Sequence, residues 1–454
     1  MKDVLLSEKI IFKRTIISNK ILLVKKPWKI RILFIALPFI SLCIILILLI
    51  TGPKKAVSSD VNHPVTEIEN PVSPVITDYI EFIKARLDSA HNIGAAVAIV
   101  NKDDILIIKT FGVKKAGTND SVDIHTVFRL ASVSKGFSGI LTCILDEEGI
   151  LSLQDKVISF LPNFRLKDSI NTQDLNIQHL LSHTSGLVPH AYDNLIEDGM
   201  PLPLIVKNLS EVDISAPPGV LYGYQNVVFS LIDTIAFIQT GTRFGNLMEK
   251  YIFRPLHMRD ASVGQKIFTR KNANFAYPHR RASSSYIAAP FNLGYYNISP
   301  AAGVNASISD LSKWLQALLG HNPAVLDSQV LAKIIEPKIE SPLKYRYLRC
   351  WDKIDSKYYS LGWRIYQYKG RRIMYHGGYV KGYRAEIAFC PEENIGIAFL
   401  QNSPNGVASV SVPAFFNSYF HYLETDSIHS SSDSTFFDGF NLLLEDSADD
   451  FSQF

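Results

Sequence analysis

The sequence is poor in cysteine. Only Cys43, Cys143, Cys350 and Cys390 occur among its 454 residues, and no two of them are spaced as C-x-x-C. This excludes zinc knuckles and thiol redox motifs, and we expect no metal site and no cofactor. The count is too small for a disulfide framework, although a single bridge between Cys350 and Cys390 is left open.

The sequence also lacks a G-x-S-x-G motif and, beyond its first residues, any excess of positive charge. The missing motif counts against an α/β-hydrolase. The net charge is +3, but residues 1–31 alone carry nine basic residues and two acids, which leaves a net charge of −4 for the rest. Because the basic excess is confined to one end, we expect no nucleic-acid partner.

A long uncharged stretch, residues 32–52, follows the basic segment. About 20 mainly apolar residues suffice to cross a bilayer as a helix. Four basic residues and Trp28 precede the stretch, so the positive-inside rule places residues 1–31 in the cytoplasm. A cleaved signal peptide is the alternative, but no small-x-small cleavage pattern is evident. The sequence predicts a single-pass anchor at Ile32–Gly52 in the inner (cytoplasmic) membrane, with the remaining domain extracytoplasmic, or periplasmic.

Composition divides the remaining chain into three parts. Residues 53–74 are polar and contain prolines, which is typical of a tether. Residues 75–424 carry the apolar patterns of a folded domain. Residues 425–454 are rich in serine and aspartate, which predicts disorder, although a short apolar island there could instead form a helix that binds a partner. No protein partner is identified by the sequence.

The folded region has the pattern of an α+β domain. Two apolar strands surround a polar turn at Asn101–Asp104, as in a hairpin. Several strands follow one another between residues 358 and 402, and an apolar helix spans about Val407–Leu423. The region between them is helical and rich in loops. This order predicts an antiparallel sheet built from both ends of the domain, with helices packed on it.

One short stretch, FRLASVSKGFSG, places Ser132 and Lys135 three residues apart in apolar surroundings. A helical pattern follows Ser132 and stops at Gly149. Residues i and i+3 share a helix face, and burial favours the neutral form of a lysine. A neutral amine beside a hydroxyl is a general base beside a nucleophile. Because S-x-x-K arises by chance about once in a chain of this length, a solvated helix start is the alternative.

Two later segments offer groups that could converge on Ser132. In PPGVLYGYQN, Tyr224 and Asn226 point the same way if the segment is extended, and a phenol can relay protons. In the strand RRIMYHGGYVKGY, the glycines after His376 allow a close approach of backbone and ligand, so an oxyanion hole could form there. The alternatives are a tyrosine that only packs and a hairpin with an incidental histidine.

Taken together, the order S-x-x-K, Y-x-N and H-x-G resembles the serine β-lactamase and penicillin-binding-protein superfamily. The Tyr-x-Asn form is similar to class C β-lactamases and their esterase and D-peptidase relatives. Flanking stretches such as LSLQDKVISFLP and NIQHLLSHTSGL are also similar, and the resemblance covers about residues 75–424. It implies a β-lactamase/transpeptidase-like fold, with an antiparallel sheet flanked by helices, an all-helical part, and a site in the cleft between them.

The resemblance also implies roles for individual residues. Ser132 would be the acylated nucleophile, Lys135 its activating base, and Tyr224 the group that handles protons in acylation and deacylation. Tyr379 would supply an oxyanion N–H together with that of Ser132. The substrate-binding residues implied are Asn226, His376, Gly377, Gly378 and Tyr379.

One residue departs from the pattern of efficient β-lactamases, which usually carry lysine at the position of His376. A neutral histidine is a weaker anchor for a substrate carboxylate. Arg384 could partly replace that lysine, but an exposed strand arginine is the favoured interpretation. His183 and Ser185 look like part of a catalytic triad, but the resemblance implies that this stretch is a structural turn.

The sequence therefore predicts a membrane-anchored extracytoplasmic serine hydrolase. It would act through a Ser132 acyl-enzyme on a small-molecule or peptide-like acyl substrate: an ester, a D-amino-acid amide or peptide, or a β-lactam. The departure at His376 favours an esterase or D-peptidase over a β-lactamase. A slow-turnover penicillin-binding or sensor protein is a second possibility, and a self-assembling scaffold is a third.

Overall fold

The computed structural model describes residues 68–69, 73–271, 273–342, 350–351 and 354–426. The predicted cytoplasmic segment and the membrane anchor at Ile32–Gly52 lie outside the described residues, as do most of the tether and the tail. No helix in the described part of the chain is both long and apolar enough to cross a membrane.

The main sheet is antiparallel and draws its strands from both ends of the described chain. Its nine described strands are β1 (Ile68–Glu69), β2 (Gly94–Val100), β3 (Ile105–Gly112), β9 (Ile339–Glu340), β10 (Ser356–Tyr359), β11 (Arg364–Tyr368), β12 (Arg371–Val380), β13 (Tyr383–Cys390) and β14 (Ile395–Gln401). They lie in the order β1-β3-β2-β14-β13-β12-β11-β10-β9. Short strands outside it are β4 (Phe128–Arg129), β5 (Ser262–Val263), β6 (His279–Ala282), β7 (Ser285–Ala288) and β8 (Val304–Ala306).

The helices lie on both faces of this sheet and in the long middle segment. They are α1 (Pro74–Ser89), α2 (Ser134–Glu147), α3 (Val157–Phe160), α4 (Ser169–Asp174), α5 (Ile177–Leu181), α6 (Asp193–Glu197), α7 (Leu202–Lys207), α8 (Asn226–Phe229), α9 (Leu231–Thr240), α10 (Phe244–Met248), α11 (Ser299–Ala302), α12 (Ile308–Leu318), α13 (Ser328–Ile335) and α14 (Val407–Asp426). This is the α+β arrangement that the sequence predicts, including the hairpin of β2 and β3 and the closing apolar helix.

Strand β2 shows how the sheet joins two cores. Because alternate side chains of a strand face opposite ways, its residues divide between two apolar clusters. Ala95, Val97 and Ile99 pack into the cluster that contains α1 and α14. Ala96, Ala98 and Val100 pack into the larger cluster that contains α2 and α12. Every residue of β2 is buried as a result.

Helix α2 is packed unusually closely against the turn between β10 and β11. A methyl group on Gly139 would overlap the carbonyl oxygen of Leu361, and one on Gly136 would overlap the ring of Trp363. Gly362 lies equally close to the backbone of Lys135 and has a φ of 84°. Glycine at these positions lets the helix that carries Lys135 lie directly on the sheet.

The cysteines form no bridge of the kind left open by the sequence. Cys390 is a free, buried thiol at the end of β13, so the bridge to Cys350 is not formed. Burial raises the pKa of the Cys390 thiol to about 12. The thiol is therefore protonated near neutral pH and packs as a small apolar group.

Candidate active site

Ser132 lies in a tight turn that is pressed against the sheet. The 3₁₀ turn Ala131–Val133 leads directly into α2, and Ala131 has a φ of 47°, which is strained for an alanine. A methyl group on Gly378 of β12 would overlap the carbonyl oxygen of Leu130 and approach the Ser132 backbone nitrogen to 3.2 Å. Gly378 of the H-x-G motif therefore lets the turn that carries Ser132 of the S-x-x-K motif contact β12.

Lys135, one turn into α2, is fully buried beside Ser132. Its Nζ lies 3.3 Å from Ser132 Oγ and donates hydrogen bonds to Asn226 Oδ1 at 2.7 Å and to the Ala301 carbonyl at 3.1 Å. Burial holds the pKa of Lys135 well below its usual range. A neutral amine has two hydrogens and one lone pair. When both hydrogens are donated to Asn226 Oδ1 and the Ala301 carbonyl, the lone pair remains available to accept the Ser132 hydroxyl proton.

Tyr224 covers the same amine from a second side. Its ring centroid lies 4.7 Å from Lys135 Nζ. Burial raises the pKa of Tyr224, although the charge of Arg364 and the nearby Ser132 side chain act in the opposite direction. Tyr224 is therefore a protonated phenol near neutral pH, able to accept one hydrogen bond and donate another.

His376 of β12 is buried and uncharged. Its Nδ1 lies 2.9 Å from the carbonyl of Gly377, which can only accept, so Nδ1 carries the hydrogen. Its Nε2 then accepts from the hydroxyl of Tyr359 at 3.0 Å. Burial holds the pKa of His376 well below its usual range, and the nearby Arg364 and Lys135 lower it further. The side chain therefore supplies no positive charge even in mildly acidic solution.

The interpretation of Arg384 as an exposed strand residue is wrong, because α14 covers that face of the sheet. Arg384 is 6% exposed, pairs with Glu386 at 2.7 Å and donates to Ser409 of α14 at 3.1 Å. Tyr375 donates to the same Glu386 at 2.6 Å. A methyl group on Gly377 would collide with this Glu386–Tyr375 pair. Gly377 thus allows close packing on the face of the sheet that α14 covers, and Gly378 allows it on the face that the Ser132 turn contacts.

Arg364 of β11 is a residue that the motif search missed. Its guanidinium lies 5.6 Å from the centroid of the Tyr224 ring and makes no ion pair with a carboxylate among the described residues. Its charge helps to lower the pKa values of Lys135, Tyr224 and His376. The only sequence signal is a single arginine in the otherwise uncharged stretch SLGWRIYQY.

The stretch HTSG has a supporting position. His183 is buried with a φ of 57°, and its Nδ1 accepts the backbone N–H of Gln225 at 3.2 Å. Its ring packs 4.2 Å from the Tyr224 ring, measured between centroids. Ser185 is also buried, and its hydroxyl accepts from the Leu187 backbone. This geometry is that of a structural turn holding the Tyr224 segment.

The oxyanion role of Tyr379, which follows Gly378, stays a prediction.

Comparison with known proteins identifies the family. The family model described as Beta-lactamase matches residues 80–415, so the chain belongs to that family. This confirms the predicted superfamily.

Among curated relatives, the chain is similar to the unguisins hydrolase ungD' of Aspergillus campestris, with 26% identity over 349 residues that cover 75% of this chain and 64% of that protein. It is also similar to protein flp of Staphylococcus aureus, with 24% identity over 325 residues that cover 70% and 61%. The matches therefore span less than two thirds of these relatives' own length.

Two solved structures show the same fold. The octameric penicillin-binding protein homologue from Pyrococcus abyssi has a TM-score of 0.67 and 23% identity, with 77% of each chain covered. The D-amino acid amidase from Ochrobactrum anthropi SV3, complexed with L-phenylalanine amide, has a TM-score of 0.63 and 16% identity, covering 77% of this chain and 99% of that one. The predicted β-lactamase/transpeptidase-like fold is confirmed.

The contact between Gly378 and the Ser132 turn leads to a first prediction. Gly378→Ala should push the turn away from β12 and slow covalent labelling of Ser132 by a fluorophosphonate, by about 10- to 100-fold. Gly377→Ala is the matched neighbour, since its methyl faces Glu386 and Tyr375. It should lower the melting temperature and slow labelling less. The labelling rate is measured by mass spectrometry. If folded Gly378→Ala is labelled at the wild-type rate, the contact between Gly378 and the Ser132 turn is unimportant for the reaction.

Proposed function

We propose that this protein is a serine hydrolase that works through an acyl-enzyme on Ser132. The observation that carries the proposal is the environment of Lys135. A buried amine whose hydrogens are accepted by Asn226 and Ala301 presents its lone pair to Ser132 Oγ, and this is what a general base requires.

The reaction would begin when Lys135 Nζ accepts the Ser132 proton and Oγ attacks the acyl carbon. The backbone N–H groups of Ser132 and Tyr379 would stabilise the oxyanion that forms. Collapse of this intermediate breaks the bond to the leaving group, which takes a proton through Tyr224 and departs. Water then attacks the acyl-enzyme, with the same groups moving the protons in reverse. Asn226 would hold both Lys135 and the substrate carbonyl.

The substrate class that we favour is an ester or a D-amino-acid amide or peptide. Neutral, buried His376 supports this preference, because it cannot supply the positive charge that attracts a β-lactam carboxylate. The fold shared with a D-amino acid amidase points the same way. A second candidate, a β-lactamase or a slow-turnover penicillin-binding protein, is favoured by Arg364, a cation beside Tyr224 without a carboxylate partner among the described residues.

We place the enzyme at the inner membrane, with the hydrolase domain outside the cytoplasm. The support is the basic segment 1–31 followed by the apolar stretch 32–52. An acyl substrate of the cell envelope or the medium would then be accessible to it. A scaffold role is disfavoured because the Ser132, Lys135 and Tyr224 side chains converge as a reactive group.

Covalent labelling tests the proposal directly. The full chain, incubated with a fluorophosphonate, should gain one adduct, and peptide mapping should place it on Ser132. Ser132→Ala should remain folded and unlabelled, whereas Ser185→Ala should still be labelled. An adduct on Ser185, or none on any serine, would refute the assignment. A penicilloyl adduct that persists without product release would identify the slow-turnover alternative.

Arg364 and His376 together predict how substrate choice responds to pH. Arg364→Gln should lower kcat/KM for a carboxylate-bearing cephalosporin, relative to a neutral ester, by about 10- to 100-fold, the value of one charged hydrogen bond. Arg364→Lys retains the charge and should lose less. Because His376 stays neutral, the wild-type ratio should be flat from pH 5.5 to 8. A ratio that rises at low pH would show that His376 becomes charged, and a ratio that Arg364→Gln leaves unchanged would show that Arg364 does not set this preference.

A further inference from the structure

Asp193, at the start of α6, reaches the site through Asn226. Its Oδ2 accepts a hydrogen bond from Asn226 Nδ2 at 2.8 Å and lies 2.8 Å from the Nδ1 of His190. Asn226 Oδ1 in turn accepts from Lys135 Nζ at 2.7 Å. The carboxylate is therefore two hydrogen bonds from the amine, although none of the three sequence motifs contains it.

The loop that carries Asp193 is attached to the Tyr224 segment by its backbone as well. The His190 N–H donates to the Tyr224 carbonyl at 2.8 Å, and the Asp193 N–H donates to the His190 carbonyl at 3.2 Å. His190 and Tyr192 have φ values of 62° and 63°, a left-handed backbone that non-glycine residues seldom adopt. A strained loop of this kind is retained where the surrounding contacts specify it.

The carboxylate decides which end of the Asn226 amide faces Lys135. The two ends of an amide have nearly the same shape, but one only accepts and the other only donates. A carboxylate can only accept, so the NH₂ group must face Asp193 and Oδ1 must face Lys135. In the reverse orientation, the NH₂ group would donate to the lone pair of the neutral amine. That lone pair would then be unavailable to Ser132.

We propose that Asp193 is a positioning residue for the catalytic base. By holding the Asn226 amide in one orientation, it reserves the lone pair of Lys135 for the hydroxyl of Ser132. The inference rests on the proposed function and deepens it, because it adds a fourth residue on which activation of the nucleophile depends.

The charge of Asp193 gives this role a signature in the pH profile. Among the residues that the structure describes, the titratable or charged groups that face Lys135 are Asp193, Arg364, Tyr224, His183 and His376. Asp193 is the only carboxylate among them, and its charge raises the pKa of Lys135 against the larger effect of burial. Removing that charge should lower the pKa further. Lys135 works as a base only when it is deprotonated. The acid limb of the pH–rate profile, where the rate falls as Lys135 becomes protonated, should therefore move to lower pH.

The experiment measures the rate of Ser132 labelling by a fluorophosphonate as a function of pH. Asp193→Asn should slow labelling on the plateau by at least about 10-fold, a part of what a general base contributes. Its acid limb should lie at lower pH than that of the wild type. Asp193→Glu keeps both the charge and the acceptor, so its limb should stay in place and part of the rate should return.

A double-mutant cycle separates the positioning role from a general disturbance. In an Asn226→Ala background, no amide remains to be oriented. Adding Asp193→Asn there should cost less than about twofold on the plateau. An equal cost in both backgrounds would overturn the inference, as would wild-type labelling with an unmoved limb in folded Asp193→Asn.

A matched control is available elsewhere in the chain. Asp260 also lies 2.8 Å from a histidine Nδ1, that of His125, and accepts from the Ser307 hydroxyl at 2.8 Å. Asp260→Asn removes the same kind of charge without touching the site, so labelling should be unchanged. An effect equal to that of Asp193→Asn would overturn the inference. If the wild type itself is not labelled on Ser132, the proposed function fails as well, and the two failures are thereby distinguished.

Discussion

The removal of Lys135 from water is the constraint on which the site depends. An exposed lysine is protonated at neutral pH and cannot accept the proton of a serine hydroxyl. Full burial disfavours the ammonium form, and no carboxylate in the described part of the chain contacts Nζ directly to restore it. Asn226 Oδ1 and the Ala301 carbonyl satisfy the amine in its neutral form. Burial thus changes an ordinary cation into a candidate base.

The fold enforces this burial through close backbone contacts. Helix α2 can lie against the β10–β11 turn because Gly136, Gly139 and Gly362 have no side chains to separate them. Gly378 likewise allows β12 to contact the Ser132 turn closely. Residues from the S-x-x-K and H-x-G motifs therefore meet because the chain packs tightly at four glycines.

Local patterns were enough to predict much of this arrangement, and long-range packing accounts for what they missed. The β2–β3 hairpin follows from alternation around a polar turn, and the Ser132–Lys135 pair follows from helical spacing. Asp193 and Asn226 are 33 residues apart in the chain, and no local pattern signals their contact. Arg364 is likewise far in sequence from Tyr224. The exposure predicted for Arg384 was wrong because alternation within a strand cannot reveal that α14 covers the second face.

The most direct test of a neutral, buried base is the pH dependence of Ser132 acylation in the wild type and in Lys135→Met. Burial of Lys135 predicts a wild-type acid limb well below the pKa of an ordinary lysine, about 10.4. It also predicts that Lys135→Met acylates at least about 100-fold more slowly and loses that limb. A wild-type limb near pH 10, or an unchanged rate in folded Lys135→Met, would contradict it.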